Sequence, residues 1–151
     1  MTEKKKVRKE EILKKLREID EAVSIIEEKL PQNFEDFSHL GLVKDGIYKK
    51  IEFAIENVID ICSIINTDLS LGVPADDEGI IKNIETNKIL SKKLIEKIEE
   101  MKGFRNILVH RYGKIEDEIA FETLQNNLAD FQLFKKEVLK FLENKKSRKS
   151  L

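Results

Sequence analysis

Apolar residues stand at Ile12, Leu16, Ile19, Val23, Ile26 and Leu30, at intervals of four, three, four, three and four. That rhythm holds one stripe on one side of an α-helix and does not suit a strand, whose side chains repeat every two residues. It returns at Ile47, Ile51, Ala54, Val58, Cys62, Ile65 and Leu69, then at Leu90, Leu94, Ile98 and Met101. A last stripe joins Phe121, Leu124, Leu128, Phe131, Phe134, Val138 and Phe141. Only 6 glycines and 2 prolines interrupt 151 residues, too few turn formers for a many-stranded sheet protein. The expected fold is all-α: an antiparallel bundle of four long helices plus one or two short ones, in a single domain over residues 1–151.

The breaks place the helices. The first is expected from about Glu3 to Leu30, where Pro31 ends it. Asn33 caps a short turn through Phe34 and Phe37. The second starts between Leu40 and Asp45 and runs to about Leu69; Ile55, Ile59 and Ile61 widen its apolar arc, so it is central. Leu71-Gly72-Val73-Pro74 is a break, and Asp76 or Asp77 caps a short helix through Ile80, Ile81 and Ile84. Thr86 or Asn87 caps the next helix, which has room for a kink at Gly103 and continues to Tyr112, with Gly113 as its stop. The last begins near Glu116 and carries the phenylalanine stripe without a break. Apolar residues exceed what one small bundle needs, which points to a helical homodimer.

Charge and cysteine content narrow the function classes. Of 28 basic and 29 acidic residues, ten basic and three acidic lie in residues 1–10 and 140–151. The remaining body has 18 basic and 26 acidic residues, a net charge of −8. Binding to nucleic acid through bulk charge is excluded, and any such contact needs a local basic site or the ends. The ends, about 1–8 and 144–151, read as frayed, solubilising tails. One cysteine, Cys62, forms no intramolecular disulfide and no cysteine-based zinc site; with His39 and His110 as the only histidines, no metal centre is expected. A cytoplasmic setting follows from the reduced cysteine and from the lack of an apolar segment after the charged N-terminus.

One segment carries more than structure: Gly103-Phe104-Arg105-Asn106-Ile107-Leu108-Val109-His110-Arg111-Tyr112. On a helix Tyr112 lies about 20° from Arg105 around the axis, and Asn106 and His110 form an i, i+4 pair on the neighbouring face. One helix end thus offers a guanidinium, an amide, an imidazole and a phenol. A guanidinium grips phosphate bidentately and stays charged. An imidazole titrates near neutrality and moves protons. Together they suit metal-free RNA cleavage, with the 2′-hydroxyl attacking the adjacent phosphorus. A lone histidine and arginine at a helix end are more often capping or ion-pair residues, and a lone tyrosine there is more often a half-buried packing residue.

Arg105, four intervening residues, His110, one more and Tyr112 resemble the Arg-x-x-x-x-His-x-Tyr signature of HepT-like toxins, small ribonucleases of the HEPN superfamily. Ala54-Ile55-Glu56-Asn57-Val58-Ile59-Asp60-Ile61 resembles the family's second-helix pattern. Leu71-Gly72-Val73-Pro74 resembles its loop, and Met101-Lys102-Gly103-Phe104-Arg105-Asn106 leads into the motif as in the family. The likeness spans roughly residues 8 to 143. It implies a homodimeric HEPN bundle whose motif helices meet in a cleft, with Arg105 and His110 as catalytic pair and Asn106 in support. It implies metal-independent endoribonuclease action without a cofactor, as the toxin of a toxin–antitoxin pair. The implied partner is an MntA-like minimal nucleotidyltransferase antitoxin that adds AMP to Tyr112. The rival reading is a non-catalytic HEPN module that binds a nucleotide or scaffolds a nucleotidyltransferase.

Tyr48, Lys49 and Glu52 depart from the Glu-Arg pair and Gln common in the family, and Arg111 adds a cation beside the motif. Glu56 and Asp60 share a helix face; they orient Arg105, form a solvated stripe, or act directly as paired carboxylates. His39 and Cys62 read as structural, and the phenylalanine stripe reads as core or dimer seam.

Overall fold

A computed structural model describes residues 6–110 and 115–150, with side chains through residue 144. Among the described residues there are seven helices: α1 (Lys9–Lys29), α2 (Phe34–Ser38), α3 (Leu42–Asp68), α4 (Asp77–Thr86), α5 (Lys92–His110), α6 (Asp117–Asn127) and α7 (Asp130–Ser150). No strand occurs among the described residues. The expected bundle of four long helices is present as α1, α3, α5 and α7. The shorter helices number three, because the chain breaks at Leu128–Ala129 and divides the expected last helix into α6 and α7.

Helix α3 is the hub, packed against α1, α4 and α5. It buries Ile51, Ala54, Ile55, Val58, Ile61, Cys62 and Ile65 to 3% exposure or less, as its two stripes predict. Burial of this kind contributes roughly 1.5–3 kcal/mol per large aliphatic side chain. Helix α1 runs antiparallel to it, since Arg8 meets Asp68 at 3.0 Å and Lys15 meets Asp60 at 3.4 Å. Those contacts explain why α1 begins at Lys9 and not near Glu3. The Arg8 backbone N–H donates to the Asp68 carboxylate at 2.8 Å, so residue 8 is held outside helical geometry. Arg8 is therefore anchored to the end of α3. At the other end α7 is helical to Ser150.

One other local reading changes. Helix α5 is capped by Ser91, whose Oγ accepts from the Leu94 backbone N–H at 3.1 Å, and not by Thr86 or Asn87. Asn87 instead closes α4, its backbone N–H bonding back to Asn83. Gly103 lies within α5, which continues through it to His110. The other caps are as expected: Asn33 accepts from the Asp36 N–H and Asp76 from the Gly79 N–H, both at 2.9 Å.

Of the phenylalanine stripe, Phe121, Phe131 and Phe134 are core in the single chain and Phe141 is partly buried, and Phe37 packs against Phe121 and Tyr48. Cys62 is a free, buried thiol whose pKa burial pushes up to about 12. His39 is structural, its Nδ1–H donating to the Glu35 carbonyl at the end of α2 at 2.8 Å. No helix of the described residues is long and apolar enough to cross a membrane.

Two buried asparagines break the apolar pattern of α3. Asn57 leaves its Nδ2 without a partner among the described residues. Asn66 is fully engaged, donating to the Gly72 carbonyl at 2.9 Å and accepting from Asn83 Nδ2 at 2.8 Å. These two bonds tie the Leu71–Pro74 loop to α3 and α4. Gly79 completes the lock: a Cβ there would stand 3.1 Å from Pro74 Cβ. The start of α4 is thereby held in one place beside α5.

Candidate functional site

The last three turns of α5 lie between α3 and α4, and Arg105 reaches both. Its Nη1 donates to Glu56 Oε1 of α3 at 3.3 Å, and its Nη2 donates to Asp77 Oδ2 of α4 at 3.0 Å. Nη2 also donates to Asn106 Oδ1 at 2.9 Å. The Arg105 side chain is 13% exposed, whereas Glu56 and Asp77 are 44% and 38% exposed. The guanidinium is thus fixed in the protein wall, with its charge exceeded by two carboxylates that still touch water. A second bridge fastens the same helices, as Lys102 pairs with Glu78.

His110 ends α5, exposed and five residues after Arg105. Asn106 is exposed one turn before it, so the i, i+4 pair stands on the helix surface. Arg111 and Tyr112 lie outside the described residues. Of the two α3 carboxylates, Glu56 contacts Arg105; Asp60 contacts Lys15 of α1 and does not join the cluster. Asp77 is the residue the sequence left unassigned. Two adjacent aspartates after the loop signal only a helix cap, and Asp76 takes that role; nothing in their spacing points to a partner 28 positions away.

Beside the cluster, Tyr48, Lys49, Glu52 and Glu56 of α3 and Leu108 and Val109 of α5 line a groove of about 600 Å³. The three departures from the family pattern all line this groove. Lys49 pairs with Glu52 at 2.8 Å. Tyr48 is buried, and its hydroxyl donates to Asp117 Oδ1 at 2.5 Å, while Lys44 donates to Asp117 Oδ2 at 2.6 Å. Partial burial pushes the Asp117 carboxyl up, but the two hydrogen bonds and the Lys44 charge outweigh it and hold it below its ordinary value. The start of α6 is fastened to α3 by this network, across the groove from the end of α5.

The opposite side of α5 is apolar. A pocket of about 340 Å³ is lined by Ile55, Met101, Phe104, Ile107, Ile119 and Phe131 among others. On this side Ile107 is 42% and Ile119 57% exposed, while Val109, which lines the groove, is 46% exposed, so apolar side chains face water on two sides of the motif helix end. A Cβ at Gly103 would meet nothing within 4 Å. Among the described residues no three His, Cys, Asp or Glu side chains gather closely enough to hold a metal ion.

The comparisons agree with the resemblance seen in the motif. The family model described as Ribonuclease HepT-like matches residues 19–138. An mRNA nuclease HepT of Shewanella oneidensis is 28% identical over 92 residues, 61% of this chain and 69% of that protein. A putative RNase of Archaeoglobus fulgidus is 28% identical over 119 residues, 79% of this chain and 83% of that protein. Among solved structures, a tri-AMPylated Shewanella oneidensis HEPN toxin in complex with MNT antitoxin aligns with a TM-score of 0.76 at 24% identity, covering 84% of this chain and 95% of that one. The Bacillus subtilis cytosolic protein YutE aligns with a TM-score of 0.77 at 14% identity, covering 91% and 92%. At these identities the two structural likenesses carry the fold alone.

Proposed function

The chain belongs to the HepT-like ribonuclease family, and on that premise we propose that it is an endoribonuclease toxin of a toxin–antitoxin pair. The observation that carries the reading is the placement of Arg105 and His110 on one helix end, the arginine oriented by Glu56 and the imidazole exposed, next to Val109, which lines the groove. In this mechanism the imidazole of one motif takes the proton of the RNA 2′-hydroxyl. The oxygen attacks the adjacent phosphorus, and the 5′-oxygen leaves with a proton. Arg105 stabilises the charge that develops on the phosphoryl oxygens. Asn106 and Glu56 hold the guanidinium, Arg111 is a further cation of the motif, and Asp60 supports the α1–α3 contact. No metal or cofactor is required by this chemistry.

A dimer supplies the second imidazole. The apolar surface of Ile107, Val109 and Ile119 around the motif helix supports a homodimer whose two α5 ends form one cleft. The proposed antitoxin is an MNT nucleotidyltransferase, the partner of the Shewanella toxin. Its proposed target is Tyr112, where an added AMP places phosphate and adenine at the RNA grip and blocks it.

The test is cleavage of single-stranded RNA in EDTA by the purified full chain, with the product ends identified by mass. The expected products end in 2′,3′-cyclic phosphate, and a substrate with a 2′-deoxy nucleotide at the scissile position stays intact. Products with 3′-hydroxyl ends, or no cleavage by an unmodified, folded dimer, would overturn the mechanism.

A further inference from the structure

Both bidentate faces of an arginine use the same nitrogen. The end-on fork is Nη1 with Nη2, and the side-on fork is Nε with Nη2. Nη2 carries two hydrogens. In Arg105 one serves Asp77 at 3.0 Å and the other Asn106 at 2.9 Å. As the free chain stands, neither fork is open to a phosphate. Nη1, bonded to Glu56, keeps one hydrogen, enough for a single contact but not for a grip.

The charge balance points the same way. Glu56 and Asp77 outweigh Arg105, so a phosphodiester approaching the site meets a net negative cluster. The two carboxylates are not equivalent. Glu56 holds Nη1 from α3 and leaves Nη2 alone, so it orients the guanidinium. Asp77 takes the nitrogen that both forks need. Its backbone is fixed: the Asn66–Gly72 and Asn66–Asn83 bonds lock the preceding loop, and Lys102–Glu78 fastens the first turn of α4 to α5. Its side chain is 38% exposed, so a change of its rotamer toward water needs no movement of the helices.

We infer that Asp77 is a releasable latch on Arg105, holding Nη2 in the free protein and competing with the RNA phosphate for it. The inference rests on the ribonuclease reading for what the phosphate belongs to, and on the geometry alone for the competition. Asp77 is a positioning residue that touches neither substrate nor reacting atoms. The pair is half-buried, and its carboxylate touches water, so water and a phosphate can both compete for Nη2. The latch keeps the guanidinium ordered between encounters and raises the phosphate concentration needed to engage it.

The experiment uses the full chain, Asp77→Asn and Asp77→Ser, each with and without Arg105→Ala. An oligonucleotide of 2′-deoxy residues, which has phosphodiesters but no attacking hydroxyl, reports binding by fluorescence anisotropy. The matching RNA reports KM and kcat. Asp77→Asn is expected to tighten binding and lower KM by about two- to five-fold, the range of a weak ion pair, while kcat changes by less than about two-fold. Asp77→Ser is expected to do the same, and neither is expected to have an effect in the Arg105→Ala background. Unchanged or weaker binding in both variants would overturn the latch. So would an equal gain without Arg105, which would assign the effect to overall charge. A shift in oligonucleotide binding without RNA cleavage would leave the latch standing and defeat the ribonuclease reading. Cleavage without the shift would do the reverse.

Discussion

Helix α5 is built differently at its two ends. Its first half, from Lys92 to Met101, buries Leu94, Ile95, Ile98 and Met101 and is closed by Ser91 and Glu137, whose carboxylate accepts from the Ser91 N–H at 2.8 Å and Oγ at 2.6 Å. Its second half, from Lys102 to His110, buries only Leu108 and leaves Ile107, Val109, Asn106 and His110 at the surface. One helix thus gives half its length to the core and half to a braced, wet, partly apolar face. On the proposed function, substitutions in the first half act through folding, and substitutions in the second half act on the chemistry.

The largest expected effect separates the halves most sharply. Arg105→Ala should lower RNA cleavage by about 10²–10³-fold, and a melting curve should show a fold that persists. Ile98→Ala, at a fully buried position, should cost roughly 2–5 kcal/mol of stability; its cleavage below the melting transition should stay near that of the parent chain. A denaturant titration against the activity of the same sample checks both. Equal losses of stability and cleavage in both variants would erase the distinction between the halves.

Smaller effects sharpen it. Ser91→Ala removes the cap of the first half and should cost about 1 kcal/mol by urea titration, with no change in the cleavage of folded protein. The acid limb tests the network across the groove from the second half. The Asp117 carboxyl is held below its ordinary value of 3.8. Its contribution to stability is therefore complete above that value and is lost as pH falls through the lower, folded value. Tyr48→Phe takes away one of the hydrogen bonds that lower it, so part of this contribution goes. The difference in melting temperature between Tyr48→Phe and the parent should be steady near neutrality and shrink below about pH 4. A difference that grows toward low pH would show that Asp117 is not held down by Tyr48.

The division of α5 was half legible in the sequence. The apolar stripe placed the helices because periodicity is set by burial against neighbours, and Leu94, Ile98 and Met101 are core as the stripe requires. The motif placed Arg105, Asn106 and His110 within the last two turns of one helix, with Asn106 and His110, four apart, on one side. The rest depends on long-range packing, which periodicity does not encode. Asp77 reads as one of two adjacent caps until the locked Leu71–Pro74 loop carries it to Arg105. Asp60 shares a stripe with Glu56, yet the antiparallel register of α1 gives it to Lys15. The Leu128–Ala129 break went unseen because Leu124, Leu128 and Phe131 keep helical spacing across it.

The most direct test of the account is the cleavage rate of His110→Ala beside its melting temperature, in EDTA and with unmodified protein. His110 ends α5, exposed to solvent and outside the core. The account predicts a loss of about 10²–10⁴-fold in cleavage, with an unchanged melting temperature. Cleavage that persists within a few-fold of the parent, in a protein that melts normally, would contradict the assignment of the chemistry to this helix end.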